Sequence, residues 1–316
     1  MDPSDDWSYR MTKIAFMFPG QGSFAAGMGR DVALAVPEAM AVYDEGSEAS
    51  GMDLKELCFE RPVEDLVETE VQQPALVATS LALDAALRSR GIRPDVVVGH
   101  SVGEFAALGS AGTLSARDAI ELVRERGLAM AEAAKAHPGS MAAILGLADE
   151  AVEALCRKIA NVWPANYNCP GQLVISGETP SVDEACLEAT REGARRAIRL
   201  RVSGAFHSPL VARAADRLRP AIDRVAFHDP RAAFMSTVTA KIEDAQRYRG
   251  LLVDQLTAPV RFTQAAGELI AQGVTIFVEV GPGNVLSGLL KRIDRSVRVF
   301  SVNDLESLNE ASEALG

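Results

Sequence analysis

Apolar residues in this chain follow two spacings. Short, nearly continuous runs rich in β-branched residues and bounded by Gly, Pro or Asn occur at 13–18 (KIAFMF), 95–100, 140–147, 172–177, 196–203, 275–280 and 297–302, and they predict strands. Between them, apolar positions recur at helical spacing over 72–90, 115–135, 149–160, 180–193, 207–225, 261–271 and 283–292. In 115–135, Ala119, Leu122, Val123, Arg126 and Met130 share one face, which puts an arginine among apolar neighbours. Strand-helix alternation of this kind predicts an α/β fold, a mostly parallel sheet covered by helices on both faces.

One block breaks the alternation. From 136 to 204 the order is strand, helix, strand, strand, helix, strand, with the third element added at 162–167, which is the pattern of a ferredoxin-like α+β unit. It interrupts the larger α/β pattern, so residues 13–135 and 205–316 are expected to form a discontinuous core and 136–204 an inserted subdomain. The cleft between the two is the expected substrate site.

Composition narrows the class. The 316 residues carry 43 acidic and 32 basic side chains, a net charge of −11 that disfavours a nucleic-acid surface. No run reaches the roughly 20 uninterrupted apolar residues of a membrane span, and the acidic start MDPSDDWSYR has neither a secretory nor a mitochondrial leader pattern, so a cytoplasmic location is expected. Residues 1–12 look like an extension ahead of the first strand. Cys58, Cys156, Cys169 and Cys186 have no metal-ligand or paired spacing.

Candidate chemistry centres on Gly99-His100-Ser101-Val102-Gly103, which follows the run VVV and precedes a helical stretch. That context suits a nucleophile elbow, although a serine in an ordinary βα loop carries the same letters. Such a serine needs a base. Of four histidines, His100 sits in the elbow itself, and His137 and His228 fall in turns. His207 follows the last strand of the insert, where the chain re-enters the core, and elimination favours it. No carboxylate is evident as a third member, and a backbone carbonyl can hold one histidine tautomer as well. The turn Phe18-Pro19-Gly20-Gln21-Gly22-Ser23 closes the first strand without dinucleotide or P-loop spacing, which leaves the Gln21 backbone N–H free to meet an oxyanion. Arg126 either snorkels to the surface or clamps a substrate carboxylate with two parallel hydrogen bonds.

Together these pieces resemble the malonyl-CoA:acyl carrier protein transacylases and the related acyltransferase domains of fatty acid and polyketide synthesis. The matching segments are FPGQGS (18–23), QQPAL (72–76), GHSVGE (99–104), RERG (124–127), NYNCPGQLVISG (166–177), GAFHSPL (204–210), PVRF (259–262) and EVGPGNVLSGL (279–289), in the family's order. The resemblance implies a hydrolase-like core with a ferredoxin-like insert. It implies Ser101 as nucleophile, His207 as general base oriented by a main-chain carbonyl near PVRF, and the N–H groups of Gln21 and Val102 as the oxyanion hole. Arg126 would hold a malonyl carboxylate, with Gln73, Asn166 and Asn168 lining the cleft and Phe206 crowding a branched α-carbon. Arg261 stands where some relatives have glutamine, a change that a main-chain role tolerates. Expected partners are malonyl-CoA and an acyl carrier protein, with no bound cofactor, nucleic acid or membrane. The family is often monomeric, and a monomer is the expectation here. Carrier proteins are acidic, so Arg195 and Arg196 at the insert's edge and Lys291 and Arg292 near the carboxyl end are the expected docking residues. An editing acyl-hydrolase, or a trans-acting acyltransferase with another extender unit, would share the Ser-His pair.

Overall fold

The structure is a computed structural model and describes residues 13–316, so the expected extension over 1–12 lies outside the described residues. Strand β1 (Lys13–Phe18) is central to a six-stranded sheet with β2 (Val96–Gly99), β7 (Ala233–Ser236), β8 (Lys241–Ile242), β9 (Val274–Val280) and β10 (Arg298–Val302). The order is β10-β9-β1-β2-β7-β8, parallel throughout except for the β7–β8 pair. Residues alternate between two cores, as strand pleating requires. Phe16, Phe18, Val97, Phe234 and Val278 face one large cluster, whereas Ala15, Met17, Val96, Val98, Met235 and Phe277 face a second one. The first cluster takes helices α2 (Pro37–Ser50), α3 (Thr69–Ser89), α4 (Gly103–Ser110), α5 (Ala116–Ala136) and α8 (Ala212–Arg224); the second takes α10 (Phe262–Ala271) and α11 (Val285–Ile293).

A separate antiparallel sheet holds β3 (Ser140–Leu145), β4 (Val162–Cys169), β5 (Gln172–Gly177) and β6 (Arg196–Arg199) in the order β4-β5-β3-β6. With α6 (Asp149–Lys158) between β3 and β4 and α7 (Thr179–Arg191) between β5 and β6, this is the strand order of the ferredoxin-like unit. Ala142, Ile144, Leu173 and Ile175 pack on α6 and α7, and Met141, Ala143 and Val174 turn the other way, into the large cluster. The antiparallel sheet is tied to the segment just before α10 at Val260: its N–H donates to the Ala165 carbonyl at 2.8 Å, and its carbonyl accepts from Tyr167 N–H at 2.8 Å.

Several boundaries differ from the sequence expectation. The strand expected over 196–203 stops at Arg199, and Leu200 and Val202 line a cavity beyond it. The helix expected over 207–225 begins at Ala212, because His207 has φ 58° and a short 3₁₀ turn, Pro209–Val211, intervenes. Ser208 fixes that turn, donating to the Ala205 carbonyl at 2.6 Å and accepting from Leu210 N–H at 3.3 Å. Helices α1 (Arg30–Ala35), α2, α9 (Tyr248–Asp254) and α12 (Leu305–Leu315) and the β7–β8 pair were not expected at all.

Candidate active site

The parallel strands aim their carboxyl ends at one place, which in an open α/β sheet is where ligands bind. Phe18 at the end of β1 is registered with Gly99 at the end of β2. The chain then turns through His100, Ser101 and Val102 into α4. Ser101 has φ 54°, a left-handed conformation that a serine holds only when its surroundings over-determine it. They do so through two close approaches. A Cβ on Gly99 would lie 2.1 Å from the Glu104 nitrogen, and one on Gly103 would lie 2.2 Å from the Phe18 carbonyl oxygen. The elbow is therefore clamped between its own helix and β1, with Ser101 at the mouth of α4.

The Ser101 Oγ lies 2.8 Å from Nε2 of His207. The other ring nitrogen, Nδ1, faces two carbonyl oxygens, Gln255 at 2.8 Å and Ala258 at 3.1 Å. Two acceptors there require the proton on Nδ1, so Nε2 presents a lone pair to the serine hydroxyl. Burial holds the His207 ring neutral, pushing it down to about 3, and the nearby Arg126 charge pushes the same way. Main-chain carbonyls thus take the place of a triad carboxylate.

Arg126 is 0% exposed, which excludes the snorkelling alternative. Its Nη2 donates to Ser101 Oγ at 3.0 Å and to Gln255 Oε1 at 3.0 Å, and its Nη1 donates to Gln73 Oε1 at 2.7 Å. The Phe105 ring lies 5.9 Å below the guanidinium carbon. Burial pulls Arg126 down to about 9 while Glu104 pulls it up, so it is cationic at neutral pH. Its hydrogen-bond acceptors are neutral, its Nε has no partner among the described residues, and the Glu104 carboxylate reaches it only through Gln255, so this buried cation has no anion in direct contact beside the nucleophile.

A cavity of about 170 Å³ opens over this group, lined among others by Gln21, His100, Ser101, Asn166, Asn168, Phe206 and His207. His100 Nε2 is 2.9 Å from Asn168 Oδ1, which ties the elbow to β4. A second cavity of about 520 Å³ shares Gln21 and Phe206, so Phe206 stands between the two. The loop carrying Gln21 is held against α3: Gln21 Nε2 donates to Thr69 Oγ1 at 3.0 Å, and Gly22 N–H donates to Gln72 Oε1 at 3.3 Å.

A serine-histidine pair with a buried arginine 3.0 Å from the nucleophile invites comparison with known proteins. The acyl transferase domain family matches residues 15–308. The chain belongs to that family. It is 44% identical over 310 residues to the malonyl CoA-acyl carrier protein transacylase of Bacillus subtilis (strain 168), a match covering 96% of this chain and 98% of that one. The transacylase of the same name from Staphylococcus aureus (strain MRSA252) is 38% identical over 96% of this chain and 99% of its own. Among solved structures, the malonyl CoA-acyl carrier protein transacylase of Coxiella burnetii superposes with a TM-score of 0.93 at 37% identity, covering 97% of this chain and 99% of that one. A malonyl-transacylase in complex with a type II polyketide synthase acyl-carrier protein superposes at 0.92 and 39% identity, covering 96% of this chain and all of that one.

Within this acyl transferase, three of the expected site residues, Gln73, Val102 and Arg126, are not part of the cavity's lining; Arg126 lies beneath it, bonded to Ser101. Gln73 does not line the cleft. It is 0% exposed and lies behind Arg126, accepting from Nη1, while its own Nε2 donates to Thr69 Oγ1 at 2.7 Å. The cause is the helix face: α3 packs Gln73 against α5 and leaves the cavity to neighbouring elements. Asn166 and Asn168 do line the cavity, and so does Phe206. Arg195, Arg196, Lys291 and Arg292 lie exposed on the acyl transferase surface, and none of them lines the cavity. Arg292 donates to Gln172 Oε1 at 2.7 Å and to the Pro170 carbonyl at 3.3 Å, and Lys291, Arg292 and Arg295 share a shallow depression. Arg191 and Arg199, on the insert's edge, are paired with Glu188 and Asp183.

Two acyl transferase site residues were not picked out in the sequence, Gln255 and Glu104. Gln255 sits at the end of α9 in LLVDQLT, where nothing marks it. Glu104 carries a signal, being the one charged residue in an otherwise apolar first turn, and it is 0% exposed. Burial pushes its carboxyl up to about 7, against hydrogen bonds from Thr237 and Ser236 and the Arg126 charge, which pull it down.

Proposed function

We propose that this chain transfers the malonyl group from malonyl-CoA to the phosphopantetheine thiol of an acyl carrier protein. The observation that carries the reading is the 3.0 Å contact between the Arg126 guanidinium and the Ser101 hydroxyl, which sets a buried cation where the far carboxylate of a bound malonyl group would lie. The full-length likeness to transacylases of that name, and to one bound to a carrier protein, supports the same substrate and partner.

The chemistry runs in two halves. Ser101 Oγ attacks the thioester carbonyl while its proton passes to His207 Nε2. The N–H groups of Gln21 and Val102 stabilise the tetrahedral oxyanion. The intermediate collapses, the C–S bond breaks, and the imidazolium returns its proton to the leaving CoA sulfur. In the second half the carrier thiol gives its proton to His207 and its sulfur attacks the malonyl ester; the C–O bond breaks and Ser101 Oγ recovers the proton. No step needs a bound cofactor. Arg126 holds the malonyl carboxylate through both halves, Phe206 crowds a branch on the α-carbon, and Asn166 and Asn168 line the path of the pantetheine arm.

The division into a core of residues 13–135 and 205–316 and an insert of 136–204 belongs to the same proposal, as do a cytoplasmic location and docking of the acidic carrier on Arg195, Arg196, Lys291 and Arg292. No helix among the described residues is long and apolar enough to cross a membrane. Isotope exchange tests the two-step scheme. Labelled free CoA should enter malonyl-CoA without carrier protein present, because the first half is reversible alone; a strict requirement for carrier protein in that exchange would contradict it.

A further inference from the structure

A buried carboxylate outside the serine-histidine pair is wired to the Arg126 guanidinium through one amide. Glu104 Oε1 accepts from Thr237 N–H at 2.7 Å, from Thr237 Oγ1 at 2.9 Å and from Ser236 Oγ at 3.3 Å. Its Oε2 accepts from Gln255 Nε2 at 2.9 Å. The opposite end of that amide, Gln255 Oε1, accepts from Arg126 Nη2. Glu104, Gln255 and Arg126 are all 2% exposed or less, so water does not substitute for any of these partners.

A glutamine amide has one accepting and one donating end, and its orientation is set by its neighbours. With Glu104 ionised, the NH₂ end of Gln255 must face the carboxylate, and Oε1 must then face the guanidinium. We infer that Glu104 is a positioning residue for substrate selection: through the Gln255 amide it fixes the Arg126 guanidinium in the pose that receives the substrate carboxylate. The inference rests on the proposed role of Arg126.

The isosteric change Glu104→Gln breaks this logic without opening a cavity. Thr237 N–H donates only, so the new amide oxygen must stay on Thr237, and its NH₂ group turns to Gln255. Two NH₂ groups then oppose each other. Gln255 relieves the conflict by turning over, which sets its NH₂ against the cationic Nη2 of Arg126, donor against donor. The backbone carbonyl of Gln255, which accepts from His207 Nδ1, is not part of that rotation.

The experiment measures kcat/KM for acylation of the enzyme by malonyl-CoA and by acetyl-CoA in the wild type, Glu104→Gln, Arg126→Ala and the double variant. Arg126→Ala should abolish most of the malonyl preference. Glu104→Gln should lower the malonyl-to-acetyl ratio by about tenfold or more, chiefly through KM for malonyl-CoA, and the double variant should be no less selective than Arg126→Ala alone. A general structural defect would lower both donors together and leave the ratio intact. If Glu104→Gln keeps the wild-type ratio while Arg126→Ala loses it, the role of Glu104 is overturned and that of Arg126 stands. If Arg126→Ala itself keeps the ratio, the clamp is wrong and the inference falls with it. Gln255→Leu, which removes the amide and keeps the carbonyl, should reproduce the loss of selectivity and serves if Glu104→Gln does not fold.

Discussion

His207 Nε2 and Ser101 Oγ are 2.8 Å apart, and both residues have positive φ, 58° and 54°. The pair is thus assembled from two turns that each hold an L residue in an uncommon conformation. Neither turn does so by local propensity. The elbow is held by close packing of Gly99 and Gly103, and the His207 turn by Ser208 and the carbonyls of Gln255 and Ala258.

The elbow's glycines make a direct test. Gly103→Ala would drive a methyl into the Phe18 carbonyl, so either β1 or α4 must move. We expect a stability loss of about 2 kcal/mol or more by denaturant unfolding, together with a large loss of acylation rate. A variant of unchanged stability and rate would show that the clamp does not hold the serine.

The pH dependence of acylation follows from His207. Its folded ring resists protonation down to about 3, while an unfolded chain takes the proton near the ordinary value of 6.5. Stability contributed at this site is therefore full above 6.5 and lost progressively as pH falls toward 3. With acetyl-CoA as donor, which leaves the clamp out, the rate should show no acid limb near 6.5. Arg126→Ala removes one cause of the depression, so the ring should titrate at higher pH, still below 6.5 because burial persists. A limb at 6.5 in the wild type would mean that the ring is solvated.

Phe206 lines both cavities, and its proposed role is to meet a methyl branch on the substrate. Phe206→Ala should lower discrimination between malonyl-CoA and methylmalonyl-CoA by roughly tenfold, measured as a ratio of acylation rates. An unchanged ratio would assign the ring to packing alone.

Docking is tested by charge reversal at positions that do not also tie the fold together. Arg292 bonds to Gln172 and Pro170, so Lys291→Glu and the pair Arg195→Glu, Arg196→Glu are the cleaner choices. Each should raise KM for carrier protein by roughly fivefold at low salt, with kcat little changed and the effect fading as salt rises. Salt-independent turnover would remove the electrostatic contribution.

The sequence makes the parallel sheet, the insert and the elbow legible because each depends on short-range patterns: buried runs, a strand-helix order, and glycines two residues either side of a serine. The arginine on an apolar helix face was visible too, but its burial was not, since periodicity cannot distinguish a snorkelling side chain from one enclosed by Gln73, Ser101, Phe105 and Gln255. Helix α2 carries Pro37 and Gly46, residues of low helix propensity, within its length. Pro37 occupies the first turn, and Gly46 gives way to Ile120, whose Cδ1 would lie 2.6 Å from a Cβ. Gln73 was expected in the cleft instead of behind Arg126, and Gln255 was not picked out, because what each does is decided by its bond to Arg126, 53 and 129 residues away along the chain.

The most direct test is intact-mass spectrometry after brief exposure to equal malonyl-CoA, methylmalonyl-CoA and acetyl-CoA without carrier protein. A lasting malonyl-sized adduct on the wild type, absent in Ser101→Ala, is the expected result. An adduct that persists in Ser101→Ala would contradict the assignment of Ser101 as the residue that carries the malonyl group, and release of free CoA with no adduct at all would contradict transfer in favour of hydrolysis.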